Sequence, residues 1–112
     1  MTTTRELIGT AIDGCDQSWE QIEAGIAAGH FHLFRNETAA LIGEFVVSPR
    51  AIGFNVFLGG GDLAGVEELI PEAEAFARSH RADFAGAVGR KGWERVLRRH
   101  GYAPEISVQK EL

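Results

Sequence analysis

The run Ala51-Ile52-Gly53-Phe54-Asn55-Val56-Phe57-Leu58-Gly59-Gly60-Gly61-Asp62-Leu63-Ala64-Gly65-Val66 changes period in its middle, and that change decides the fold. Ile52, Phe54, Val56 and Leu58 alternate with period two, the pattern of a strand with one face on a core. Three glycines then break the strand, and Asp62 offers a carboxylate to the orphan amides of a helix start. Leu63, Val66, Ile70, Ala73, Ala77 and His80 hold one helical phase through Pro71. One kinked helix is therefore expected, with a break at Pro71 as the alternative. Beyond Arg81-Ala82-Asp83 a short strand is expected over residues 84 to 88, rich in Gly and Ala, as suits a strand on which something packs closely. A strand-helix-strand unit of this length predicts a parallel pair and a right-handed crossover.

Upstream of this unit the period of two predicts strands over residues 30 to 35, 38 to 47 and 51 to 58. The turns Asn36-Glu37 and Ser48-Pro49-Arg50 join them into an antiparallel meander. Two short helices open the chain. Thr3 with Glu6, and Ser18 with Gln21, fit the capping box, in which the hydroxyl takes an amide and the longer side chain reaches back. Gly14 and Gly29 supply the stops, so the helices are expected over residues 4 to 13 and 19 to 28. Downstream, Arg90-Lys91-Gly92 opens a last helix over residues 93 to 100. Gly101 ends it, Tyr102 is placed to touch Leu97, and Ile106, Val108 and Leu112 alternate as a final strand. The order is α-α-β-β-β-α-β-α-β, a mixed α/β (α+β) sheet in a single domain over residues 1 to 112.

The bulk properties agree with one domain. At 112 residues a fold buries roughly two-thirds of the surface its unfolded chain exposes, so a core forms without staples. Cys15, the only cysteine, has no intrachain partner and fits a reducing compartment. The chain start has no basic region followed by an apolar one, and no apolar run approaches the ~20 residues of a membrane helix. A cytoplasmic protein with no membrane segment is expected. The net charge of -5 argues against a general nucleic-acid binder.

The element order, with its Gly-rich strand-to-helix turn and a late helix ending in Gly101-Tyr102, resembles the GNAT superfamily of acyl-CoA N-acyltransferases. The resemblance runs from about Glu6 to Leu112. Leu58-Gly59-Gly60-Gly61-Asp62-Leu63, Glu74-Ala75-Phe76-Ala77-Arg78 and the run from Val88-Gly89-Arg90-Lys91-Gly92-Trp93 to Leu97 look more narrowly like small GNAT-like proteins of tailed phages and prophages. It implies a truncated sheet, with no strand before the first helix and one strand at the end where the superfamily has two.

In the superfamily, the turn after the fourth strand carries a Gln or Arg and then glycines, and its amides cradle the pyrophosphate of acyl-CoA. By resemblance the cradle here falls on Gly60, Gly61 and Leu63. No Gln or Arg occurs between positions 51 and 77, however, and Asp62 brings negative charge to the phosphate position. The superfamily's acid, a tyrosine four residues before the late glycine, is replaced by Leu97. The only tyrosine, Tyr102, is expected to pack. Glu44, on the central strands, is the candidate base, its bland alternative being a glutamate on the wetter face.

His30 and His32 are two apart on a predicted strand and so share a face, but two ligands are not a site, and no metal is expected. Trp19 and Trp93 fall at apolar helical phases that suit packing. Charge is uneven: Asp62, Glu67, Glu68, Glu72 and Glu74 lie in a stretch with no base, whereas Arg90, Lys91, Arg95, Arg98 and Arg99 face the single Glu94. Arg95, Arg98 and Arg99 share one helix face. That face reads as a solvated surface complementing its helix dipole, as a docking surface for a protein partner or for the acidic helix of like subunits, or as a phosphate contact.

Two functions follow. One is a non-catalytic GNAT-like scaffold without cofactor, a phage structural or interaction component in virion assembly or host-protein contact, in the host cytoplasm or on the virion. The other is an acyl-CoA-dependent N-acetyltransferase using acetyl-CoA through an atypical loop.

Overall fold

A computed structural model describes residues 2–14, 16–87 and 97–101 and the backbone of 108–111. Both capping boxes form. The Glu6 amide donates to Thr3 Oγ1 at 3.1 Å and the Thr3 amide to Glu6 Oε1 at 3.3 Å; the Ser18 and Gln21 pair repeats this at 3.2 and 2.8 Å. The first helix is shorter than its apolar stripe predicts. α1 spans Thr4–Ile8, Gly9 turns away at φ 59°, and the chain continues as a 3₁₀ segment over Gly9–Gly14. α2 spans Trp19–Ala28 and stops on Gly29 in the left-handed conformation.

Strands β1 (His32–Arg35), β2 (Ala39–Val47) and β3 (Ile52–Gly61) form the expected antiparallel meander. α3 spans Leu63–Ser79 with Pro71 inside it, so one helix carries through the proline. It returns the chain to β4 (Phe84–Ala87), parallel to β3, and β5 (Val108–Glu111) pairs antiparallel with β4. Among the described residues the sheet has five strands, in chain order. Residues 97–99 are helical and Gly101 takes φ 90°, as a stopping glycine should. Cys15, Val88, Arg90, Lys91, Trp93, Arg95, Tyr102, Ile106 and Leu112 lie outside the described residues. No helix among those described is long and apolar enough to cross a membrane.

One expectation fails instructively. The glycine run does not break the strand: Gly59, Gly60 and Gly61 pair with Leu41, Ala40 and Ala39. The glycines are there for closeness. A Cβ on Gly60 would collide with the carbonyl oxygen of Leu7 and stand 2.6 Å from Ile8 Cα, so the backbone of α1 lies directly on the strand.

A bulge precedes this run. Ile42 faces Leu58 while Gly43 faces Val56, which leaves Phe57 as the extra residue. The bulge switches faces along β3. Phe54 and Val56 pack with α3 beside Phe34, Leu41, Val66, Leu69 and Ile70, whereas Phe57 and Leu58 join Leu7, Ile8, Ile22, Ala40 and Ile42 under α1 and α2. The sheet thus buries both faces, and Trp19 packs at the margin of the second core as expected.

α3 ends without a glycine. The Ala82 amide donates to Ala77 O and the Arg81 amide to Arg78 O, a Schellman ending that puts Arg81 at φ 62°. A left-handed backbone at a non-Gly residue costs roughly 1–2 kcal/mol. Two stability changes are expected in urea denaturation. Gly60→Ala should lose on the order of 1–3 kcal/mol, because α1 must lift off the sheet. Arg81→Gly should gain about 1 kcal/mol, the relieved backbone outweighing the added freedom of the unfolded chain.

Candidate functional site

The end of β3 and the start of α3 form a closed polar knot. Asp62 caps the helix: its Oδ1 accepts from the Gly65 amide at 2.7 Å and from Thr38 Oγ1 at 3.1 Å. The β1–β2 turn folds over the same point. Asn36 Oδ1 accepts from the amides of Thr38 and Ala39 at 3.0 and 2.8 Å, and Asn36 Nδ2 donates to Gly65 O at 3.0 Å and Glu68 Oε2 at 3.3 Å. The Asp62 amide donates to Thr38 O. Gly61, at φ 111°, lies so close to this turn that a Cβ would strike Thr38 O and approach Ala39 Cα at 2.5 Å. Of the three residues to which the resemblance assigns a cradle, Gly60 is in the β-ladder under α1, Gly61 is against the turn, and Leu63 is exposed at the first position of α3. Chemically, the helix start holds a carboxylate of its own.

The remaining candidates do not converge on it. Glu44 pairs with Asn55 across β2 and β3 and is half-buried. It alternates with Phe45, which packs toward α3, so it belongs to the face of α1 and α2. Leu97 is 5% exposed and lies in the core under α3, where an apolar residue belongs and a proton donor would need a partner.

His30 and His32 do not share a strand. The His30 amide donates to Gly25 O at the end of α2, its side chain is exposed, and β1 begins at His32. Among the described residues no three His, Cys, Asp or Glu side chains come together as metal ligands. His32 belongs instead to a ring cluster that period-two reading alone does not reveal. Its imidazole lies 5.5 Å from Phe45 and 4.8 Å from Phe76, and His80 lies 5.5 and 4.3 Å from the same two rings. The signal was the i, i+4 spacing of Phe76 and His80, which puts both on one helix face above the strand residues. Burial, and then the neighbouring His80, lower the His32 pKa below its usual 6.5.

The basic segment folds back on its own chain. Arg99 Nη2 lies 3.2 Å from Glu67 Oε1, and His100 Nε2 lies 3.7 Å from the same oxygen. Arg98 and Arg99 are exposed beside α3. The acidic stretch of α3 therefore meets basic side chains of its own molecule at Glu67.

The architecture is similar to that of a crystallised GNAT-family acetyltransferase from Listeria monocytogenes 4b F2365, with a TM-score of 0.63 over 97% of this chain and 85% of that one, at 15% identity. The chain has a truncated GNAT-like fold, mixed α+β. No protein-family model and no curated protein matches the sequence.

Two outcomes follow from this geometry. Removing the cap, Asp62→Ala, should cost about 1 kcal/mol in chemical denaturation, while Asp62→Ser keeps most of the stability. His32 has a lowered folded pKa, so below pH 6.5 the unfolded chain binds its proton first. Stability from this residue is complete above pH 6.5 and is lost as pH falls toward the folded value. Melting curves between about pH 7.5 and 5 should show that decline, and His32→Phe should flatten it.

Proposed function

We propose that this GNAT-like chain is a non-catalytic scaffold that works by contacting another protein. The observation that carries the reading is the Asp62 carboxylate on the Gly65 amide and the Thr38 hydroxyl, sealed by Asn36. A pyrophosphate at this helix start would meet a negative charge already holding the donors, so the residues do not fit acyl-CoA. The buried Leu97 at the position of the superfamily's acid supports the same reading. A role in virion assembly or in contact with a host protein is supported by the resemblance of the glycine turn and late helix to phage-encoded proteins.

A second reading has its own support: the similar crystal structure is of a protein titled an acetyltransferase, and the glycine-rich β3–α3 connection has the matching topology. In that reading the amides of Gly60, Gly61 and Leu63 hold the pyrophosphate of acetyl-CoA and Glu44 serves as base. It requires Asp62 to leave its cap.

Calorimetric titration with acetyl-CoA and with CoA separates the two. The expected result is no saturable heat and no thermal shift at about millimolar ligand, for the native chain and for Asp62→Ser alike. Saturable one-to-one binding, tightened by Asp62→Ser, would establish the acetyltransferase reading instead.

A further inference from the structure

We infer that α3 is held on the sheet as two separately releasable halves, and that acid favours release of the half beyond Pro71 while the half before it stays in place. The inference stands on the fold and holds for either reading of function. α3 is anchored unevenly. Before Pro71 it buries Val66, Leu69 and Ile70, each 4% exposed or less, and Asp62, Thr38 and Asn36 tie its start. Beyond Pro71 the buried apolar side chains of α3 are Ala73 and Ala77, which remove far less apolar surface from water. Pro71 itself has no amide to bond the Glu67 carbonyl one turn back, so the helix is weakest where the two halves meet.

What holds the second half is a latch of rings. Phe76 and His80, one turn apart, lie 5.8 and 5.5 Å from Phe45, and Phe76 lies 4.8 Å from His32. His32 is half-buried among Phe45, Phe54 and Phe76, and among the described residues its imidazole has no hydrogen-bond partner and no carboxylate beside it. A proton on this ring is poorly accommodated, and no neighbouring element offsets it. On β1, Arg35 bonds Thr4 and Thr2, and His30 before the strand is exposed. β2 carries Glu44, on the other face of the sheet, and β3 has no ionisable side chain. On α3, Glu72 is exposed one turn before Phe76, Glu74 is buried on the opposite flank, and His80 Nδ1 lies 3.0 Å from Phe76 O. Exposed Arg50, Arg78 and Arg81 surround the latch end with cations, and Asp83 accepts from the Ile52 amide at 2.8 Å. Charging His32 therefore sets a cation beside His80 in a ring cluster, and opening hydrates both. The far limit of the opening segment is equally defined. Arg81, strained at φ 62°, relaxes when the helix end comes undone, whereas Asp83, bonded to both the amide and the carbonyl of Ile52, keeps β4 in the sheet.

Native-state hydrogen exchange, read as protection factors at about pH 7.5 and 5, tests this. Amides of residues 73 to 82 should lose roughly three- to thirtyfold in protection on acidification, the upper figure applying when His32 regains its ordinary affinity for the proton only in the open form. Amides of residues 67 to 70 should stay better protected at both pH values. His32→Phe should remove most of the acid response, and His80→Gln, at an exposed position that does not risk the fold, should reduce it. Arg81→Gly should raise the protection of residues 73 to 82 about fivefold at either pH, because the closed backbone is no longer strained. Glu74→Gln should leave the acid response in place. Exchange of both halves as one unit, protection of residues 73 to 82 that ignores acid, or an acid response that survives both His32→Phe and His80→Gln yet disappears with Glu74→Gln would each overturn the inference.

Discussion

The organisation of the helix-start end depends on one constraint, the contact of backbone on backbone at Gly60 and Gly61. α1 lies on the first and the β1–β2 turn on the second, at separations no side chain would permit. Because these residues carry no Cβ, β3 continues to Gly61 with its ladder intact, and the turn comes close enough for Thr38 and Asn36 to bond Asp62 and Gly65. The same closeness seals the helix start. Glycines that elsewhere open a loop to a phosphate here let the protein close on itself.

The bulge at Phe57 complements that closure. By inserting one residue it turns Leu58 and Gly60 toward α1, while Phe54 and Val56 stay under α3. A sheet of four- to ten-residue strands is thereby covered on both faces by a chain of 112 residues. Glu44, Leu97 and the α3 start lie on different sides of the sheet or within its cores, and the proposed role in protein contact follows from that dispersal.

Arg99 and His100 lie against Glu67, while Arg50 in the β2–β3 turn and Arg78 and Arg81 at the end of α3 are exposed at the opposite end of the helix. The ring cluster of His32, Phe45, Phe76 and His80 supports this end from below. Desolvation of His32 ties the stability of that support to the neutral form of the imidazole.

The sequence by itself determined most of the described elements and their order. Capping boxes at Thr3 and Ser18, the stop at Gly29, the meander and the phase held through Pro71 are local signals, because caps, turns and periodicity act within a few residues. Crossover length made β3 and β4 parallel. Tertiary structure decided the rest. Gly59-Gly60-Gly61 reads as a strand break until α1 is seen lying on it, the pairing of Arg99 with Glu67 joins two charge runs far apart in the chain, and Phe45, packed toward α3, sets the face on which Glu44 stands. Each of those outcomes depends on which distant backbone or charge arrives at the residue, and that proximity is a property of the packed chain.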